Sequence, residues 1–251
     1  MKPTFLKYEK PLLTSMVLAE NPDRVKYLMD KSREDGAEAF GIQIERMSKE
    51  YRNADTYREI FSYAKDLPFY VANYRKVSNE GKTDDELAED LLEMAECGAT
   101  LLDVMGDFYD IQPDEVAVDE ESIKKQMELI DKLHEKGAEV LMSSHVRKFT
   151  PAERVLEIAL EHQRRGADIC KIVVGAENME QQIENLRIIN MLKEKLDIPF
   201  LFLSVGSCSG IMRRIGGEIG CCMYLCVYEQ DDLSIKTQPL IKNVKAIRDN
   251  M

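Results

Sequence analysis

Apolar and β-branched residues gather in short runs along the chain. Each run is followed by a longer stretch in which apolar positions recur at helical spacing. The runs fall at 11–18, 39–45, 68–74, 100–106, 138–146, 168–176, 199–206 and 223–228. Short dense runs predict buried strands, and the amphipathic stretches between them predict helices. The punctuation agrees. Asn21 and Gly36 bracket the first helical stretch, Thr83 and Gly98 the third, and Pro151 opens the fifth. These residue types favour helix ends. Strands alternating with helices imply a parallel sheet with helices outside it. Such units repeated through 251 residues predict an α/β fold, a single (β/α)8 TIM barrel over 1–251. A doubly wound sheet is the competitor, but no Gly-rich dinucleotide fingerprint follows the first strand.

One position breaks the pattern. In GADICKIVVGA, 166–176, Lys171 interrupts a run that otherwise reads as a buried strand. Lysine is almost never fully buried unless something pairs with it or uses it. Burial disfavours its ammonium form, and a neutral amine attacks a ketone to give an imine. A protonated imine is an electron sink that acidifies the adjoining C–H. His145, at the end of the preceding strand, is placed to move that proton. His134 and His162 lie in polar helical stretches and read as solvated surface residues. The alternative for Lys171 is a side chain that snorkels to the rim and pairs with a carboxylate.

Composition narrows the partners. Lys+Arg is 34 against Asp+Glu 46, a net charge of −12, which disfavours nucleic acid. No apolar run approaches the roughly 20 residues that cross a bilayer, and the N-terminal residues lack a signal-peptide core. The expectation is a soluble, cytoplasmic protein with reduced thiols at Cys97, Cys170, Cys208, Cys221, Cys222 and Cys226. Cys221, Cys222 and Cys226 have the wrong spacing for zinc, so no metal is expected. Glu229, Asp231 and Asp232 follow the last strand and would repel a phosphate there.

Several segments together resemble type I 3-dehydroquinate dehydratase. They are LMSSHVRKFTPAERVLEIALEHQRRGADICKIVV, LSVGSCSGIMRRIGGEIG, VANYRKVSNEG, LLTSM and SIKTQ. The resemblance implies a Schiff-base hydro-lyase of the shikimate pathway that needs no cofactor. Lys171 would form the imine and His145 would act as acid and base. Arg214 would bind the substrate carboxylate, and Ser234 and Gln238 would close over it. Arg75, Glu80, Ser15, Glu45 and Gln43 would add substrate contacts. The family's second strand reads Glu-x-Arg-x-Asp, and this chain has Gly41, Gln43 and Glu45 there. Its fourth-strand Asp-x-Glu is Asp103-Val104-Met105, and the residue after the histidine is Val146. The expected partner is a small keto acid, with neither nucleic acid nor membrane, and a homodimer stays open. Two rival readings are a lysine-imine lyase for another hydroxy-keto acid and a non-catalytic barrel that binds a small carboxylate.

Overall fold

The computed structural model describes residues 3–251. The strands are β1 (Leu12–Val17), β2 (Ala39–Gln43), β3 (Phe69–Ala72), β4 (Leu101–Met105), β5 (Glu139–His145), β6 (Ile169–Gly175), β7 (Phe200–Val205) and β8 (Met223–Cys226). The helices are α1 (Pro22–Glu34), α2 (Ala54–Tyr63), α3 (Asp84–Cys97), α4 (Glu120–Glu135), α5 (Ala152–Arg164), α6 (Met179–Lys195), α7 (Met212–Ile219) and α8 (Ile241–Arg248). Local chemistry sets the starts. Asn21, Asn53, Asp119 and Asn178 each cap a helix through a side-chain oxygen, and Thr83 with Glu86 forms a reciprocal capping box on α3. Gly98 ends α3 at φ 114°, a left-handed conformation that a side chain would strain.

The strands form one eight-stranded sheet in the order β7-β6-β5-β4-β3-β2-β1-β8. All its strand pairs are parallel. The ring is nearly closed, with Cys222 N–H donating to Phe200 O (2.9 Å) between the β7 and β8 segments. This is the (β/α)8 barrel that the alternation predicts.

Successive strand residues face opposite ways, and that alternation decides what reaches the barrel interior. Lys171 and Ser143 point inward, while their neighbours Cys170 and Ser144 meet His162 of α5 at 3.4 and 2.9 Å. Met16 points inward, and Ser15 bonds Ser32 of α1 at 2.6 Å. Among the described residues no helix is long and apolar enough to cross a membrane.

Candidate active site

A cavity of about 340 Å³ opens at the C-terminal ends of the strands, where barrels of this kind carry their sites. Lys171 and His145 both line it, as do Tyr70, Tyr74, Gln43 and Gln238. Lys171 is 4% exposed, and it does not snorkel. Its Nζ donates to the hydroxyls of Tyr70 (2.7 Å) and Tyr74 (2.6 Å) and to Asp103 Oδ2 (3.1 Å). Both tyrosine hydroxyls also donate to that carboxylate, and Ser143 Oγ donates to its other oxygen. Burial works to raise the Asp103 carboxyl. The charge of Lys171, with the hydrogen bonds it accepts, outweighs burial and holds it below the usual carboxylate range.

His145 is held by a residue from another element. Glu115, in the loop between β4 and α4, accepts from His145 N–H (2.7 Å) and pairs with His145 Nδ1 (2.8 Å). A carboxylate only accepts, so Nδ1 carries the proton and Nε2 is left as the basic nitrogen. Burial, reinforced by the charge of Lys171, lowers the imidazole below its ordinary value against the pull of Glu115. His145 is therefore neutral at pH 7, as a general base requires. The Tyr74 ring stands edge-on to the His145 ring, 5.2 Å between centroids, and 5.3 Å from Lys171 Nζ.

The Glu115 loop has its own support. Glu115 sits at φ 51°, and its carbonyl accepts from Ser144 Oγ (2.7 Å). Arg165 donates to Gly106 O (3.0 Å), Gln126 Oε1 (2.8 Å) and Ala117 O (2.7 Å), bracketing the loop from behind. A Cβ on Gly106 would lie 2.4 Å from Glu115 O, so this approach requires glycine. His162, expected at the surface, is fully buried within this support, and burial first of all lowers it to about 3. One face of α5 is interior although its sequence is polar. His134 is the exposed histidine, paired with Asp168 (2.8 Å).

Several expected substrate contacts are placed elsewhere. Arg214 is exposed and bonds Gly210 O (2.6 Å), whereas Arg213 lines the cavity at 6% exposure. Consecutive residues on a helix point about 100° apart, and the start of α7 puts Arg213 on the inner side. Arg75 turns outward to Asp84 (2.6 Å) and Asp107 (2.7 Å) because the chain leaves the sheet after Ala72, and Lys76 enters the cavity instead. Glu80 is exposed in the same loop and lies apart from the cavity. Ser15 faces α1 by strand alternation. Ser234 bonds Asp231 Oδ1 (2.6 Å) and Glu229 O (3.1 Å) within its own loop, whose Ile235 and Gln238 are the cavity residues. Glu45 is fully buried beside the cavity, not lining it, and burial raises it to about 7. Gln43 lines the cavity, and among the described residues its Oε1 has no hydrogen-bond partner. Glu229 and Asp231, read from the sequence as a barrier to phosphate, pair with Arg24 and are not among the cavity-lining residues.

The net result is a cationic mouth on an acidic protein. Arg46, Lys76, Arg147 and Arg213 line the cavity, and among the described residues none makes an ion pair. Arg213 gives Nε–H to Ser204 O (3.1 Å), and burial alone lowers it to about 10, so it stays charged at neutral pH. No group of three or more His, Cys, Asp or Glu able to hold a metal occurs among the described residues.

Barrel topology and a buried lysine in the cavity at the strand ends beside a histidine define the class: a (β/α)8 barrel with a polar pocket at its mouth. The family model for type I 3-dehydroquinase matches residues 15–248, and the chain belongs to that family. The chain is similar to the 3-dehydroquinate dehydratase of Syntrophotalea carbinolica, 36% identical over 95 residues, 37% of this chain and 38% of that protein. The Lactiplantibacillus plantarum enzyme is 24% identical over 215 residues, 84% of this chain and 75% of that protein. The first of these alignments thus spans well under half of the relative's length. Among solved structures, type I 3-dehydroquinate dehydratase from Clostridium difficile, with covalently modified comenic acid, has a TM-score of 0.80. It is 18% identical and covers 98% of this chain and 94% of that one. The Enterococcus faecalis structure has a TM-score of 0.78 at 13% identity, covering 99% of this chain and 98% of that one.

Proposed function

We propose that the protein dehydrates 3-dehydroquinate to 3-dehydroshikimate through an imine on Lys171, with His145 as the acid and base. The observation that carries this reading is the placement of Lys171 Nζ and the neutral His145 in one cavity lined with unpaired cations. Family membership supports the substrate and the overall reaction.

Lys171 must first surrender a proton. His145, the base in the same cavity, takes that proton and returns it to the carbinolamine hydroxyl, while Tyr74 OH (2.6 Å) keeps Lys171 Nζ in place. The amine adds to the C3 ketone, and the carbinolamine loses water to give the imine. His145 Nε2 takes a proton from C2, the electrons flow toward the iminium nitrogen, and an enamine forms. Return of the electrons expels the C1 hydroxyl, which leaves as water with the proton from His145. Water then hydrolyses the imine and frees the enone product and Lys171. Arg213 takes the role expected of Arg214 and holds the ring carboxylate. Gln238 closes over the substrate from the loop after β8. The electron sink is the imine itself, so the scheme uses only this chain's residues.

The test is borohydride reduction in the presence of 3-dehydroquinate, followed by peptide mass mapping. The adduct is expected on the peptide containing Lys171 and absent from Lys171→Met. Labelling of another lysine, or no labelling together with no turnover, refutes the assignment.

A further inference from the structure

One carboxylate accounts for one of the cavity's unpaired cations, and the cavity holds several. Their positions matter more than their number. Arg213 stands after β7, while Arg46 follows β2 and Lys76 follows β3. In an eight-stranded ring, β7 lies across from β3 and nearly across from β2. A tilted barrel of this size is roughly 15 Å across between backbones. Long side chains entering from opposite walls therefore leave room for a small ring or a short chain between two cationic poles.

Each pole shows unmet polar demand. Arg213 is 6% exposed with Ser204 O as its protein acceptor. Among the described residues Arg46 Nε is buried without a partner, and so is Oε1 of nearby Gln43. Arg147 stands exposed at the rim between the poles, after β5. Glu45 attracts Arg46 and Lys76 across the second pole but forms no ion pair with either among the described residues, and burial opposes its charge. The arginines outside the cavity mostly do have carboxylate partners: Arg24, Arg33, Arg75 and Arg165 are examples. Burying unpaired guanidinium is costly, and the cost is offset when a ligand brings the counter-charge.

We propose that the cavity binds a keto acid bearing two anionic groups, a carboxylate on Arg213 and a second carboxylate or phosphate on Arg46 and Lys76. The proposal rests on the imine reading of Lys171 for the ketone between the poles. On this account 3-dehydroquinate, with one carboxylate, fills only the Arg213 pole.

Two flat keto acids built on the same ring test it by calorimetric titration. 4-Oxopyran-2-carboxylate carries one carboxylate, and 4-oxopyran-2,6-dicarboxylate carries two. The wild-type chain is expected to bind the dicarboxylate about tenfold or more tightly than the monocarboxylate, with the steeper salt dependence. In the double variant R46Q/K76M the ratio should fall toward one, while R213A should weaken both ligands. Equal affinities in the wild type, or a ratio unchanged in R46Q/K76M, overturns the proposal. Inorganic phosphate separates the two anion chemistries. Competition with the dicarboxylate that vanishes in R46Q/K76M supports a phosphate at the second pole, and no competition supports a carboxylate. Competition that persists undiminished in that variant counts against the pole. Affinity is read here without turnover, so failure of the borohydride experiment would remove the imine and leave this result standing on its own.

Discussion

Replacing Glu115 by glutamine keeps the size of the side chain and one acceptor oxygen but removes the charge beside His145. In the native protein Glu115 Oε2 serves both the backbone N–H and Nδ1 of His145, at 2.7 and 2.8 Å. Hydrogen bonds to a charged acceptor contribute about 1.5–3 kcal/mol, and neutral ones about 0.5–1.5 kcal/mol. The change therefore costs about 1–2 kcal/mol in holding the imidazole and in stabilising the imidazolium formed during proton transfer. That corresponds to a loss of roughly 5- to 30-fold in kcat. The pH profile carries the more specific signal. His145 is already lowered by burial and by Lys171, with Glu115 opposing both. Removing the opposing charge lowers it further. The acid limb of kcat/KM should move to lower pH while activity at the plateau falls. The assay is the ultraviolet absorbance of the conjugated enone product across a pH series, with substrate binding measured separately. A plateau loss with an unmoved acid limb would mean that Glu115 only braces the loop. Unchanged kcat would remove it from the proton-transfer scheme altogether.

Arg213→Ala should raise KM at least tenfold, whereas Arg214→Ala, on the exposed face, should stay within twofold; equal losses contradict the assignment of the two arginines. Gly41→Glu with Gln43→Arg, which rebuilds the family's second-strand charges, should abolish substrate capture: a Cβ at Gly41 lies 2.2 Å from Met16 Sδ and 3.1 Å from the Tyr70 ring. A gain of activity in that variant would show that Met16 and Tyr70 give way. Folding stability should fall with acid. Buried His162 is lowered from 6.5 to about 3, so below pH 6.5 the unfolded chain takes a proton that the native chain refuses. The slope approaches 1.4 kcal/mol per pH unit, about 2 kcal/mol between pH 7 and pH 5. His145, lowered by burial, adds in the same direction. Urea titrations at the two pH values check this, and a His162→Gln variant with an undiminished pH slope would assign the effect elsewhere.

The alternation of strands and helices was legible because both patterns repeat with a clean period. Lys171 was legible because charge inside an apolar run is an anomaly. The same anomaly marks Asp103 in LLDVMG, and pairing the two would have revealed the buried partner of Lys171. Tyr70 and Tyr74 gave no such signal, since aromatic residues in strands are ordinary core. Glu115 lies in an aperiodic loop, where nothing local says which side chain turns inward. His162 and Arg165 sit in a helix stretch that reads as polar, yet their partners are buried backbone and side-chain groups that only the folded chain assembles. Arg213 and Lys76 were each missed by one residue. An error of that size at the end of a strand or the start of a helix sends a side chain to the opposite face.

The groups that touch Lys171 Nζ stand on or beside β3 and β4, in the rigid wall of the barrel, whereas the unpaired cations stand past the strand ends. Chemistry and cargo are thus written in separate parts of the chain. On the proposed scheme, loop exchange at the positions of Arg46, Lys76 and Arg147 redraws which molecule is captured without disturbing how the Lys171 amine is held. A lineage that uses the proposed covalent step can keep it while its diet changes, and a designer can treat this barrel as a fixed lysine-bearing core with an interchangeable rim.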